Sequence, residues 1–563
     1  MTKLSLTLLC LSFCVSCQPN IDVDLAKKDV SVVKKQPLDP SWKNNVIYHV
    51  WVRSFFDTNN DGNGDLKGIT QKIPYIKSLN VTSILLSPIF ASPSNHGYDV
   101  IDYKSINFDF GSMEDFDKLL SEAHANGLKI ILDIPLNHTS DQHPWFVNSY
   151  SKDGSYQDFY RWNGELPEDY GQPWDETSPA TSVWHTKKER DGYYYGLFGY
   201  ASPDLNFKND EVRQQVKDIL HFWINKGVNG FRIDAARHLV EEGSNPLQED
   251  TASNFALISE LIGYIKDIDP QVFVIGETFA DIETSSQYLK IENGFDAVFN
   301  FEFFNGIRDT LSEETLKLES QMQTGSLINQ SIQSDYKMLL DFKPKDKQIY
   351  TFLNNHDVVR YKGLTVNNDG EEKIIAALSV FSPVNISVYY GEELGISQRN
   401  IGEHIYKRGI MLWDKTQNAG FNSGHTPWID EVTLDWNRSY LPWFEDAVNL
   451  DKDKDADSQL QDTNSLLRFY QAALEVKTND TVMSAVESVS IEDDSARAIY
   501  LRYENKTEFR LLLANPYPNH VVEIEMGTHT GKYGLELISG QEIQIPQTIK
   551  LNHGDVMLLD IAR

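Results

Sequence analysis

The sequence predicts an α/β protein: a closed (β/α)8 TIM barrel, a small domain inserted after strand 3, and a C-terminal antiparallel β-sandwich. Three observations predict it. Short β-rich apolar runs recur eight times, helical patterns with start and stop signals separate them, and the alternation breaks at only two places.

The runs are Val46-Ile47-Tyr48, Ser83-Ile84-Leu85-Leu86, Lys129-Ile130-Ile131-Leu132, Gly230-Phe231-Arg232-Ile233 and Val272-Phe273-Val274-Ile275, then Asp296-Ala297-Val298-Phe299, Ile349-Tyr350-Thr351-Phe352 and Ile386-Ser387-Val388-Tyr389. Between them, Ser112 and Asp115 have the spacing of a capping pair, and Gly127 ends the helix that follows. Residues 210–226 place Val212, Val216, Ile219, Leu220 and Trp223 at helical spacing and stop at Gly227. Strands alternating with helices imply a parallel sheet, and eight of them imply closure.

The first break, residues 139–200, is irregular and rich in aromatics: Trp145, Phe146, Phe159, Tyr160, Trp162, Trp174, Trp184, Tyr193, Tyr194 and Tyr195. An excursion that long is usually functional. After about residue 477 the pattern becomes short strands, at 498–503, 509–514, 521–525 and 556–561, which suit a β-sandwich over 477–563. The barrel then comprises 45–138 and 201–476.

With 82 acidic and 51 basic residues, a net charge of −31, and 40% hydrophobic residues, the 563-residue chain is globular and acidic. That charge argues against binding nucleic acid, or an anionic membrane through a basic surface. Residues 1–16 read as a signal peptide, too short to span a bilayer. All three cysteines (Cys10, Cys14, Cys17) lie in or beside it, so the mature chain forms no internal disulfide. Val15-Ser16-Cys17 resembles a bacterial lipobox, with Cys14 in place of the usual Leu, so Cys17 is expected to be acylated and 17–44 to be a polar tether. The expected location is outside the cytoplasm, lipid-anchored to a bacterial membrane, outer membrane or cell surface.

Catalytic groups of such barrels sit at the C-terminal strand ends. Those ends carry Asn137-His138 after strand 3, Arg232 and Asp234 at strand 4, Glu277 at strand 5 and His356-Asp357 at strand 7. Any one alone is more often a cap or a surface ion pair; in phase they form one face of carboxylates, imidazoles and a guanidinium. Glycosidic cleavage needs two carboxylates of separated pKa, one ionised and one protonated. Arg232 shares a strand face with Asp234, so it is expected to lower that carboxyl and keep it ionised. Glu277 closes the apolar run Val272-Phe273-Val274-Ile275, where dry surroundings would raise it, suiting a general acid.

Four stretches in order, Asp133-Ile134-Pro135-Leu136-Asn137-His138, Gly230-Phe231-Arg232-Ile233-Asp234-Ala235-Ala236-Arg237-His238, Gly276-Glu277-Thr278-Phe279 and Phe352-Leu353-Asn354-Asn355-His356-Asp357, resemble the signature regions of the α-amylase family of glycoside hydrolases. Ser202-Pro203-Asp204-Leu205-Asn206 and Tyr389-Tyr390-Gly391-Glu392-Glu393 resemble secondary ones. The resemblance implies retention of α-configuration through a covalent glycosyl intermediate, with Asp234 the nucleophile, Glu277 the acid/base and Asp357 the carboxylate gripping the reacting glucose. Tyr98 would stack beneath that sugar, and His138 and His356 would bond its hydroxyls. Arg237-His238 resembles the Lys-His pair of amylases, and Asp99 with Arg408 would wall off the end of the sugar. Ala235 stands where α-1,6-specific members usually have Val.

Asp57-Thr58-Asn59-Asn60-Asp61-Gly62-Asn63-Gly64-Asp65 puts oxygen ligands at alternate positions, as Ca²⁺ prefers. It opens like an EF-hand, but Gly68 stands at the twelfth position, where a bidentate Glu is needed. It instead resembles the structural calcium loop of several α-amylase relatives, with Asp57, Asn59, Asp61 and Asp65 as side-chain ligands and the Asn63 carbonyl as a fifth. A second calcium near Asn137 and the His238 carbonyl stays open. The expected activity is hydrolysis of α-1,4 bonds in starch-like glucans and maltooligosaccharides. The alternatives are an exo-acting α-glucosidase, a cyclomaltodextrinase or transglycosylase, and a non-catalytic barrel that only binds.

Overall fold

The structure, a computed structural model, describes residues 42–561 except 151–153, 176, 180–181, 322–325, 362–368, 398–403, 430–453, 494 and 496. The expected signal peptide, Cys17 and residues 17–41 of the expected tether lie outside the described residues.

Eight parallel strands close into a barrel: β1 (Val46–Val50), β2 (Ser83–Leu86), β3 (Lys129–Ile134), β4 (Gly230–Ile233), β5 (Phe273–Gly276), β6 (Ala297–Phe299), β7 (Gln348–Thr351) and β8 (Asn385–Tyr389). They are the runs expected from sequence, shifted at most by two residues at an end. β8 returns beside β1, with Tyr48 opposite Val388. Every residue of β2 and β4–β8 is buried, as a sheet sandwiched between filled interior and helical ring requires.

The capping signals act as read. Ser112 and Asp115 form a capping box, and the helix Asp210–Lys226 ends where Gly227 turns left-handed at φ +94°. The tether ends earlier than expected. Trp42 is buried, stacks on Phe273 at 4.4 Å and donates its indole N–H to the Gln271 carbonyl, so the barrel's apolar foot extends back to it.

The insertion between β3 and β4 holds a three-stranded antiparallel sheet, Trp162–Asn163, Arg190–Tyr195 and Trp184–Lys187 in spatial order. Most of its aromatics form its own core: Phe146, Tyr160 and Tyr194 are buried and meet edge-to-face at 4.8–4.9 Å. After the helix Leu466–Asn479, a six-stranded antiparallel sheet and a two-stranded one make the C-terminal domain. Phe509–Ala514 and Val556–Ile561 pair there antiparallel. Four further strands, Ser488–Ile491, Tyr533–Glu536, Gln541–Gln544 and Thr548–Leu551, are too short and polar to stand out in sequence.

Candidate active site

The strand ends deliver their side chains to one mouth. β3 and β4 pair with Asp133 opposite Arg232, and β4 and β5 pair with Ile275 opposite Arg232, so the guanidinium sits between two carboxylate-bearing neighbours. Its Nη1 donates to Asp133 Oδ1 at 2.7 Å and Asp234 Oδ1 at 2.6 Å, and its Nη2 lies 3.2 Å from Glu277 Oε2. One buried cation therefore serves three carboxylates.

That sharing decides the ionisation. Burial pushes Asp234 up to about 7 and Glu277 up to about 8, with Arg232 pulling each back. Asp133, fully enclosed, rises to about 6. Arg232 lowers Asp234 as expected, but the expected net result is corrected: divided three ways, its charge does not offset the loss of water, and the carboxyl stays raised. Asp357 differs. Burial opposes its charge, but His356 at 2.9 Å, Arg408 at 3.5 Å and the more distant Arg232 outweigh it and hold the carboxyl far below the usual range. It is ionised throughout.

Tyr98 donates to Asp133 Oδ2 at 2.8 Å, and its Oη lies 2.6 Å from His356 Nε2, the two rings stacked at 5.2 Å. Burial lowers His356 to about 4 and His138 to about 3, so both imidazoles are neutral hydrogen-bonding groups at neutral pH. Tyr98, His138, Asp234, Arg237, His238, Glu277, His356 and Asp357 line one cavity of about 500 Å³. Arg232 lies beneath it, holding carboxylates.

Asp99 Oδ1 accepts from Ser92 at 2.6 Å and from Ser94. Arg408 turns to Asp357 and the His356 carbonyl and covers the Trp51 ring at 4.4 Å. The serine hydroxyls satisfy Asp99 locally. Arg237 spends its guanidinium on Asp250, Glu249 and the Phe279 carbonyl.

Sequence reasoning missed Asp133 as a site residue, although a lone carboxylate in the apolar run of β3 was its signal. It also missed Phe198, Phe279 and Glu249 on the cavity wall. Of the ten insertion aromatics singled out, only Trp174 reaches the cavity. It is 48% exposed and stacks at 5.4 Å on Phe198, itself 40% exposed.

The chain matches the family model "Alpha amylase, catalytic domain" over residues 49–485. It belongs to the α-amylase family of glycoside hydrolases. It is 35% identical over 473 residues to "Alpha-amylase 3" of Dictyoglomus thermophilum, covering 83% of this chain and 84% of that one. It is 30% identical over 544 residues to "Trehalose-6-phosphate hydrolase" of Bacillus subtilis, covering 85% and 90%. Among solved structures, an α-amylase from H. orenii superposes with TM-score 0.75 at 28% identity, over 92% of this chain and all of that one. As a member of this family the protein is a glycoside hydrolase, and the mouth of the barrel is the place where its four signature stretches converge.

The loop expected to hold calcium is knit by its own hydrogen bonds. Asp65 caps the helix Leu66–Ser78 through Gly68 N at 2.7 Å and also takes Thr58 N and Oγ1. Asp57 accepts from Asn60 N, Gly62 N and Asn422, while Asp61 accepts from Asn63 N and Asn59. The Asn63 side chain accepts from Arg53. Among the described residues no three His, Cys, Asp or Glu side chains gather as a metal site. The donor chemistry still fits calcium: all donors are oxygen, and each of the three carboxylates keeps an oxygen that takes a single hydrogen bond. At the second position considered, Asn137 Nδ2 donates to Asp204 at 2.9 Å, and Arg161 pairs with Glu241 close by, so a guanidinium already brings positive charge there.

Proposed function

We propose that the enzyme hydrolyses α-1,4-glucosidic bonds of α-glucans and maltooligosaccharides with retention. The observation that carries the reading is the pair Asp234 and Glu277 on one guanidinium at the floor of an aromatic-rimmed cavity. An Asp234 oxygen attacks the anomeric carbon as the glycosidic C–O bond breaks, and the Glu277 proton passes to the departing oxygen. Water then attacks the same carbon, gives its proton to Glu277, and releases Asp234. Asp357, ionised throughout, accepts sugar hydroxyls and favours positive charge developing on the ring. His138 and His356, neutral, donate or accept at the same sugar, and Tyr98 stacks below it. Ala235 supports α-1,4 preference.

A second reading, α-1,6 cleavage of short glucosides, is favoured by a 28% identical relative over 512 residues, "Oligo-1,6-glucosidase" of Parageobacillus thermoglucosidasius. Incubation with amylose, maltotetraose and isomaltotriose, with product anomers followed by NMR, separates the two. Faster hydrolysis of isomaltotriose would overturn the α-1,4 reading, and β-anomeric products would overturn retention.

The expected surroundings complete the proposal. A calcium ion held by Asp57, Asn59, Asp61, Asp65 and the Asn63 carbonyl would brace the loop after β1. Acylated Cys17 would anchor the exported enzyme in a bacterial membrane, at the outer membrane or cell surface. Fractionation of cells expressing the full chain and Cys17→Ala tests the anchor: activity that is soluble in both sinks it.

A further inference from the structure

The loop that presents Glu277 is held by a pair whose two members are Arg237 on the cavity wall and Asp250, which is not part of that wall. Glu277 follows β5, and the loop after β4 grips it at successive positions. Ala235 N donates to Glu277 Oε2 at 2.7 Å, and Ala236 N donates to the Glu277 carbonyl at 3.1 Å. Arg237 Nη1 donates to the Phe279 carbonyl, two residues on, at 2.7 Å. Arg237 is the only side chain among these three grips, so its own placement matters most.

Arg237 is locked to Asp250 from both directions. Its Nε reaches the two Asp250 oxygens at 3.0 and 3.1 Å, Nη2 adds a further bond, and Asp250 N donates back to the Arg237 carbonyl at 3.0 Å. A bidentate guanidinium–carboxylate pair fixes orientation as well as distance. Tyr288 donates to Asp250 Oδ1 at 2.7 Å and receives a bond from Asn254, tying the pair to a buried barrel helix. Asp250 sits at φ +52°, a left-handed conformation that Asp and Asn adopt readily, and Ala235 at φ +49°, which an Ala holds only where its surroundings impose it. Glu249, by contrast, meets the same guanidinium from the cavity wall. Without Asp250, Glu249 would be the carboxylate left to Arg237 and would draw it toward the cavity, away from the Phe279 carbonyl.

We infer that Asp250 is a positioning residue: acting through Arg237 and the Glu277-Thr278-Phe279 loop, it holds Glu277 where its proton meets the departing oxygen. The inference rests on Glu277 being the acid, as proposed above. Misplacing a general acid costs part of the 10²–10⁴-fold such a group supplies. The cost falls on substrates whose leaving group needs a proton. Asn tolerates the left-handed region, so Asp250→Asn removes the charge and spares the backbone.

The test compares kcat/KM, which reports formation of the glycosyl-enzyme and not its hydrolysis with Glu277 as base, on the best glucoside from the substrate assay and on the corresponding α-glycosyl fluoride, whose fluoride departs with little protonation. Asp250→Asn should lose about tenfold or more on the glucoside and less than about threefold on the fluoride, with an unchanged circular dichroism spectrum. Glu277→Gln serves as control and should show the same selectivity more strongly. If the control loses both substrates alike, the acid assignment fails. If the control is selective while Asp250→Asn loses both alike or neither, the positioning role is overturned. Should Asp250→Asn not fold, Tyr288→Phe, which removes one bond to Asp250, must show a smaller loss in the same direction; an equal loss on both substrates would also overturn the role.

Discussion

Arg232→Met removes a buried cation from between three carboxylates. Above pH 8 the wild-type guanidinium compensates Asp133, Asp234 and Glu277 at 2.7, 2.6 and 3.2 Å, in a site where the side chains of Arg232 and Asp133 are 3% and 0% exposed. Breaking such a buried ion pair costs about 3–5 kcal/mol. Unfolding entropy of about 2.1 cal/mol/K per residue gives roughly 1.2 kcal/mol/K for a chain of this length, so Tm should fall by about 3–4 °C at pH 9. The pH dependence carries the sharper test. The three carboxyls have folded pKa values raised above their unfolded ones, so the native state holds extra protons between about pH 4 and 8, and stability falls as pH rises through that window. At pH 5 the carboxyls are protonated in the native state, and losing Arg232 removes only hydrogen bonds worth about 1–2 kcal/mol. Differential scanning calorimetry of both proteins at pH 5 and pH 9 measures this. A Tm loss of equal size at both pH values, or a gain at pH 9, would refute the shared-cation account.

Three further outcomes are expected. Asp234→Asn should keep the wild-type melting curve and lose several orders of magnitude in turnover, since no other group forms the glycosyl bond; near-normal turnover would remove Asp234 from the role. The kcat/KM profile should be a narrow bell, rising as Asp234 ionises near 7 and falling as Glu277 ionises near 8, and Glu277→Gln should abolish the alkaline limb. Chelation of calcium should lower Tm by about 2 °C if the ion is present at ~100 times its Kd, and Asp61→Ala should match that loss, so an unchanged melting curve in both removes the ion.

The barrel was legible because its signals are local. Each strand is a run of apolar residues, the helices after Ser112 and before Gly227 carry their cap and stop signals, and period-two alternation alone places Arg232 and Asp234 on one face. What lay across strands was not legible. Asp133 meets Arg232 only because β3 and β4 pair in a register that sets them opposite, and the upward shift of Asp234, driven first by burial, is added to by the charge of Asp133. Trp42 was read as tether because a lone Trp in a polar stretch carries no periodicity, yet Phe273 supplies it a face to stack on. In the insertion every aromatic reads alike: Phe146 and Tyr160 vanish into its core while Trp174 and Phe198 face the cavity, and composition distinguishes none of them.

The same division separates the chemistry from the choice of substrate. The carboxylates follow strand ends, while the relatives this chain is similar to bear the names of different hydrolases. The rim is made by Trp174 and Phe198 from the insertion, Arg237, His238 and Glu249 after β4, and Phe279 after β5. These loops can change without disturbing the strands, because they are held by contacts such as Arg237 with Asp250 and not by the sheet. Selectivity between α-1,4 and α-1,6 bonds therefore belongs to the rim. Substitutions at Trp174 should alter the ratio of amylose to isomaltotriose hydrolysis more than any change beneath the cavity at Asp133, which should lower both together.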